Sequence, residues 1–74
     1  MATEIIDAEG LNCQLPILKA KTAITQLAPG ETLQVFATDP GSVRDFAAFC
    51  QTGGHQLLES LEENGVFVFL IEKA

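Results

Sequence analysis

Residues 66–71 read Val-Phe-Val-Phe-Leu-Ile, an apolar run with no polar position in it. β-branched and aromatic residues of this kind favour a β-strand. Because successive side chains of a strand point to opposite faces, a strand that is apolar at every position has two faces to cover. The run therefore predicts a strand at about residues 66–72 that is either central in a sheet or has its second face against a partner.

A tight turn precedes this strand. The turn reads Glu63-Asn64-Gly65, and Asn-Gly is a strong signal for a two-residue hairpin loop. A partner strand is therefore expected at about residues 55–62, so that the two strands form a hairpin.

Two further strands are predicted upstream. Residues 4–8 form a short candidate that ends at Gly10, and residues 31–38 alternate between apolar and polar positions. The apolar positions of the second strand would share one face; they are Leu33, Val35 and Ala37.

Helical periodicity fills the two intervals between these strands. The first helix is expected at about residues 14–27, where apolar residues recur at Ile17, Ala20, Ile24 and Leu27. The second follows the turn at residues 39–42, where Asp39 or Ser42 could be the N-cap and Asp45 is the candidate capping-box acid. Its apolar stripe is predicted at Val43, Phe46, Ala47 and Cys50, and Gly53-Gly54 would end it.

The resulting order, β-α-β-α-β-β, predicts an α+β fold. We expect a two-layer α/β sandwich in which a four-stranded mixed sheet carries two helices on one face. A length of 74 residues is enough for one domain, 1–74, with a single modest core.

Composition excludes several classes of function. Four basic and ten acidic residues leave a net charge of −6, which disfavours direct binding to nucleic acid. The first residues lack the features of a signal peptide, and no apolar run approaches the roughly 20 residues of a membrane span. Two cysteines in such a chain indicate reduced thiols. We therefore expect a cytoplasmic protein that binds no membrane.

The candidate functional residue is Cys13, within residues 10–16, Gly-Leu-Asn-Cys-Gln-Leu-Pro. This stretch joins a strand to the first turn of a helix, where unpaired N–H groups and the helix dipole favour thiolate over thiol. Pro16 suits that first turn because its missing N–H would have no intrahelical partner. The spacing alone is equally compatible with a buried, unreactive cysteine.

Other polar candidates have structural interpretations. Cys50 lies on the apolar stripe of the second helix, so we expect it in the core. His55 is expected to be a structural or surface residue, and two cysteines with one histidine match no zinc spacing, so no metal site is predicted. Lys19, Lys21 and Arg44 could cluster at one end of the helices and meet an acidic protein, although a solvated surface is the default.

Residues 7–16, Asp-Ala-Glu-Gly-Leu-Asn-Cys-Gln-Leu-Pro, resemble the signature Gly-Leu-x-Cys-Pro-x-Pro of the TusA/SirA-like sulfur carrier family. The resemblance continues through residues 37–43, Gly54-His55 and the closing hairpin, and covers almost the whole chain. It implies the same sandwich fold. The chain departs from the signature at Gln14, where the family has its first motif proline.

The resemblance also implies a function for these residues. Cys13 would hold sulfur as a persulfide, with Gly10, Leu11, Gln14 and Pro16 as the other motif positions. Asp39 aligns with an acidic position of the family and is a candidate auxiliary residue, although helix capping alone would explain it. Lys19 is a second candidate, from its place among the few basic residues.

The implied protein is a sulfurtransferase that acts as a persulfide carrier and needs no cofactor. Its donor would be a cysteine desulfurase or a rhodanese-like protein. Its acceptor would be a protein of tRNA thiolation, cofactor assembly or sulfur oxidation, and the carrier would be a monomer.

Two alternatives remain open from the residues themselves. The doubly apolar last strand and the Gln14 departure would suit a regulatory or protein-binding module of the same fold. A thiol redox protein would instead pair Cys13 with Cys50.

Overall fold

The computed structural model describes residues 3–11 and 14–74. Its elements are β1 (Glu4–Ala8), α1 (Gln14–Ile24), β2 (Thr32–Ala37), α2 (Ser42–Gly53), β3 (Gln56–Glu63) and β4 (Val66–Glu72). The four strands form one sheet in the order β1-β2-β4-β3. β1 and β2 are parallel, whereas β4 is antiparallel to both β2 and β3. The predicted α+β fold and mixed sheet are confirmed.

Strand β4 lies in the centre of the sheet, between β2 and β3. Phe69 and Ile71 on its core face are fully buried, while Val68 and Leu70 on its other face are only half-buried. The apolar run at residues 66–71 is thus explained in part by its central position.

Both helices pack on the same face of the sheet, because their buried residues join one core cluster with those of the strands. α1 contributes Ala20 and Ile24, and α2 contributes Phe46 and Cys50. The Phe46 ring stacks on that of Phe69 with the centroids 4.6 Å apart. The strand residues of the cluster are Ala8, Leu33, Val35, Ala37, Phe69 and Ile71.

The core-facing stripe of α2 differs from the one predicted. Val43 is 41% exposed and Ala47 is also exposed, whereas Ser42, Phe46 and Cys50 are buried. These three residues lie at i, i+4 and i+8, which is one face of a helix. The prediction is thus confirmed for Phe46 and Cys50 and wrong for Val43 and Ala47, because the buried face of the helix continues through Ser42.

Helix α1 ends at Ile24 rather than at the predicted Leu27. After Ile24 the hydrogen bonds span three residues instead of four. Gln26 N–H donates to Ala23 O at 3.1 Å, and Leu27 N–H donates to Ile24 O at 3.2 Å. Such i→i−3 bonds often close the end of a helix. Leu27 is nevertheless buried, as its place in the apolar pattern predicted.

The closing hairpin has the predicted two-residue loop. Asn64 and Gly65 both have positive φ, 52° and 83°, as a type I′ turn requires. The register of β3 shifts between Leu57 and Glu59, so the strand carries a β-bulge that its sequence did not indicate.

The left-handed end of α2 gives a testable prediction for stability. Gly54 has φ 75°, and its N–H faces the carbonyls of Cys50 and Gln51. Gly54→Ala is expected to lower the free energy of unfolding by about 1–2 kcal/mol, because a Cβ disfavours this conformation. Urea denaturation measures the change. Thr52→Ala, at an exposed helical position, is the control and should change stability by less than about 0.5 kcal/mol. An equally small loss for Gly54→Ala would contradict the prediction.

Candidate functional site

The segment that follows β1 and the segment that follows β2 meet at one edge of the sheet. The two strands are parallel and in register, with Ala8 opposite Ala37. Their carboxyl ends therefore lie side by side, and open α/β sheets commonly bind ligands at this edge. The topology thus brings the start of the signature stretch, at Gly10, close to the segment that follows β2.

A hydrogen bond joins these two segments directly. The Gly10 N–H donates to Thr38 Oγ1 at 2.8 Å. Gly10 has φ 83°, a conformation that glycine adopts without strain, and Leu11 N–H then donates back to Ala8 O at 3.3 Å. The Thr38 side chain thus anchors the segment that leads to Cys13. Sequence reasoning missed Thr38, because no short-range pattern reveals a contact between residues 28 positions apart.

Asn12 and Cys13 lie outside the described residues, and so does the side chain of Gln14. The positions on either side are described. Leu11 packs against the core cluster, and α1 begins at Gln14, the residue after Cys13 in the chain. Pro16 is fully buried in the first turn of α1. A backbone N–H in that turn has no intrahelical acceptor, so a proline there costs no helical hydrogen bond.

The electrostatics of α1 favour an anion at its first turn. That turn carries no acidic residue, and Lys21 lies in the last turn. The positive end of the helix dipole is therefore not offset by a carboxylate of its own helix. A negative charge placed there is stabilised by about 0.3–1 kcal/mol.

The candidate auxiliary residue Asp39 shapes the turn before α2. Its Oδ1 accepts the Gly41 N–H at 2.8 Å, and its backbone oxygen accepts the Ser42 N–H at 2.9 Å. The N-cap is Gly41, with no side-chain cap bond, so the prediction that Asp39 or Ser42 caps the helix was wrong. Asp39 instead makes an Asx turn that leads into the N-cap. Asp45 does lie in the first turn of α2.

The basic side chains do not form the cluster that was considered. Lys19 lines a shallow groove against β1, next to Glu4 and Ile6. Lys21 lines a different groove, between the two helices, together with Asp45. The two lysines therefore present their charges to separate surfaces. Arg44 is exposed in the first turn of α2.

The second thiol, Cys50, belongs to the core, as predicted. It is 3% exposed and packs in the cluster with Phe46, and this burial raises the pKa of the Cys50 thiol above its ordinary value of 9.0. Desolvation favours the neutral thiol over the thiolate. Because the thiolate is the reactive form, Cys50 is poorly suited to exchange sulfur or to resolve a disulfide.

This pKa shift predicts a pH dependence of stability. The folded state holds the Cys50 proton more tightly than the unfolded state, so the stabilisation is complete below the unfolded pKa. It is lost as the pH rises above about 9 and the unfolded chain releases its proton. We expect the stability advantage of the wild type over Cys50→Ala, measured by urea denaturation, to shrink from about pH 8 to about pH 10. A constant difference over that range would be inconsistent with a buried neutral thiol.

His55 has a structural setting. Its Nδ1 accepts the Ala74 N–H at 3.1 Å, and its ring packs beside that of Phe49 with centroids 5.7 Å apart. The half-buried imidazole thus ties the start of β3 to the end of the described chain. This agrees with the structural interpretation of His55.

Within residues 3–11 and 14–74, His, Cys, Asp and Glu side chains make no group of three that could hold a metal ion. Among the described helices, none has the length and hydropathy to cross a bilayer.

Comparisons with known proteins agree on one family. A family profile described as "Sulfurtransferase TusA" matches residues 4–73. The sulfur carrier protein TusA of Allochromatium vinosum is 55% identical over 69 residues, which cover 93% of this chain and 91% of the relative. The sulfur carrier protein TusA of Pseudomonas aeruginosa is 45% identical over 69 residues, 93% of this chain and 87% of the relative.

The fold agrees as well. The crystal structure of a SirA-like protein from Desulfitobacterium hafniense superimposes with a TM-score of 0.85 at 29% identity. The superposition covers 95% of this chain and 96% of the other. The similarity therefore extends over both helices and all strands.

Proposed function

This chain belongs to the sulfurtransferase TusA family and is a sulfur carrier, and we propose that it carries sulfur as a persulfide on Cys13. The observation that supports this residue most is the end of β1, where Thr38 anchors Gly10 and α1 begins immediately after position 13. The other cysteine is buried and unsuited to exchange. One thiol therefore remains for the chemistry.

The loading step is an exchange between thiols. The Cys13 thiolate attacks the outer sulfur of a donor persulfide, a new sulfur–sulfur bond forms, and the bond within the donor breaks. The donor leaves as a thiolate, and Cys13 holds the outer sulfur as Cys-S-S⁻ or Cys-S-SH. No electrons are gained or lost overall, so the step needs neither oxidant nor cofactor.

The unloading step repeats the exchange with an acceptor. An acceptor thiolate attacks the outer sulfur, the persulfide bond breaks, and Cys13 leaves as a thiolate. The first turn of α1 stabilises the anion both before and after transfer, by about 0.3–1 kcal/mol. A term of this size biases reactivity modestly, so specificity of transfer must come mainly from docking of the partner proteins.

The motif positions around Cys13 have supporting roles in this proposal. Gly10 supplies the left-handed turn, Leu11 packs the segment onto the core, and Pro16 fixes the first turn of α1. Gln14 replaces the family's first motif proline at the first residue of α1. A proline and a glutamine both suit that position, because its N–H has no intrahelical partner.

The partners are a protein donor and a protein acceptor. We propose a cysteine desulfurase or a rhodanese-like protein as the donor. The net charge of −6 opposes direct contact with a nucleic acid, so sulfur bound for tRNA would have to pass through an acceptor protein.

A loading assay tests the proposal. The purified protein is incubated with a cysteine desulfurase and free cysteine, and its intact mass is measured without reductant. We expect the mass of one sulfur atom to be added and then removed by a thiol reductant. Absence of loading from this donor and also from inorganic polysulfide would contradict the proposed chemistry.

A further inference from the structure

The face of the sheet opposite the helices, here called the open face, has an apolar centre. Val68 of β4 pairs with Phe36 of β2 on one side and with Leu61 of β3 on the other. Paired residues share a face, and Val68 alternates with the buried Phe69, so all three side chains point away from the helices. Leu61 is 44% exposed. The same argument from register places Val66, Leu70 and Ile5 on the open face.

Carboxylates surround this apolar centre. Asp7 on the edge strand β1 pairs with Phe36, so it lies at the end of the row that contains Phe36 and Val68. Glu59 on the edge strand β3 pairs with Leu70, so it lies at the end of the neighbouring row. Glu63 pairs with Val66 at the hairpin, and Glu72 lies at the far end of β4. The open face therefore has an apolar row that reaches the β3 edge at Leu61, carboxylates around this row, and one polar residue on an interior strand beside it, Gln34.

Among the described residues, the open face carries no Lys or Arg, and the four basic side chains lie elsewhere. Lys19 and Lys21 lie on α1 and Arg44 lies on α2. Lys73 Nζ donates to the Leu27 carbonyl at 2.6 Å, just beyond the end of α1. The four Lys and Arg side chains thus all lie on or beside the helical layer.

This charge distribution indicates which class of molecule can bind the open face. Two copies packed face to face would bring their acidic borders together, and like charges opposed across an interface are costly. Nucleic acids and anionic lipids would be repelled for the same reason. A protein surface with an apolar centre and surrounding Lys and Arg side chains matches both features.

We propose that the open face docks a partner protein whose contact surface is apolar in the middle and basic at the border. Leu61, Val68 and Phe36 supply the apolar part of this interface, and Glu59 and Glu63, on either side of Leu61 along β3, pair with basic side chains. None of the residues named for this interface is a motif position or a cysteine, so the proposal can be tested independently of the persulfide chemistry.

Photocrosslinking followed by binding measurements tests the proposal. A benzoylphenylalanine is placed at position 61 in the protein expressed in its native host, and the protein that it traps is purified. Leu61→Glu is expected to weaken binding of that protein by about tenfold or more, because it places a charge on the apolar row that the partner covers. Leu18→Glu, at a 55% exposed leucine on α1, is the control and should leave binding unchanged.

A second matched pair tests the acidic border. Glu63 lies on the open face, and its neighbour Glu62, which is also exposed, points to the other side of β3. Glu63→Lys should weaken binding about threefold or more and reduce its salt dependence, whereas Glu62→Lys should do neither. Circular dichroism verifies that each variant is folded.

Several results would overturn the proposal. They are the absence of a trapped protein at position 61, the trapping of a second copy of the chain, and an affinity that Leu61→Glu leaves unchanged. Loading of Leu61→Glu with inorganic polysulfide should equal that of the wild type. This measurement separates failure of docking from failure of the sulfur chemistry.

Discussion

Cys13→Ser is expected to abolish sulfur loading and relay altogether. A serine hydroxyl neither ionises near neutral pH nor forms a bond to sulfane sulfur, so the carrier atom itself is removed. The measurement is transfer of labelled sulfur from a desulfurase to the chain, followed by chase with a low-molecular-weight thiol.

The matched control for this experiment is Cys50→Ala. Cys50 is 3% exposed and its pKa is raised by burial, so its removal should leave loading at the wild-type level while lowering stability. If Cys13→Ser still loaded sulfur, or if Cys50→Ala lost it, the roles assigned to the two thiols would be wrong.

Phe69→Ala is expected to have the largest effect on stability, a loss of about 3–5 kcal/mol. Phe69 is fully buried on the central strand and stacks on Phe46 with centroids 4.6 Å apart. Truncation would remove this contact and leave a cavity between the sheet and α2. Because small domains are often stable by only about 5 kcal/mol, we expect much of the variant to be unfolded at 37 °C.

The adjacent residue provides the control for this prediction. Val68 lies next to Phe69 on the same strand but on the open face, where it is half-buried. Val68→Ala should lower the free energy of unfolding by about 1 kcal/mol, because alanine has a lower strand propensity and buries less apolar surface. Phe69→Leu keeps most of the apolar volume and should remain folded, so urea denaturation can compare all three variants. Equal losses at positions 68 and 69 would show that the core does not lie on one face.

The arrangement of strands was largely predictable from periodicity and turn chemistry. Leu33, Val35 and Ala37 alternate with half-buried residues and are all fully buried, as their period of two indicated. Asn64 and Gly65 have the backbone conformation that the Asn-Gly signal implies. These features are local, so the sequence contains the information directly.

Features that depend on tertiary contact were not predictable in this way. Ser42 begins the buried stripe of α2, and a hydrophobicity pattern does not include a serine. The bulge between Leu57 and Glu59 changes the alternation of β3, and the bond from Gly10 to Thr38 links separate loops. Each requires knowledge of which segments are neighbours in space.

The candidate site was predicted from its residue types rather than from geometry. Burial of Cys50 follows from its place in the apolar stripe, and the structure agrees. The importance of Cys13 came from its position before a helix and from the family signature, and α1 indeed begins at Gln14. The role of Asp39 in closing its own turn emerged only from the hydrogen bonds.

The most direct test of the account is to locate the sulfur after loading. The loaded wild-type protein is alkylated without reductant, digested, and sequenced by tandem mass spectrometry. We predict that the additional sulfur is found on the peptide that contains Cys13, and that the peptide containing Cys50 carries an unmodified thiol. Sulfur on Cys50, or an intramolecular disulfide between the two residues, would contradict the central claim that Cys13 alone carries the sulfur.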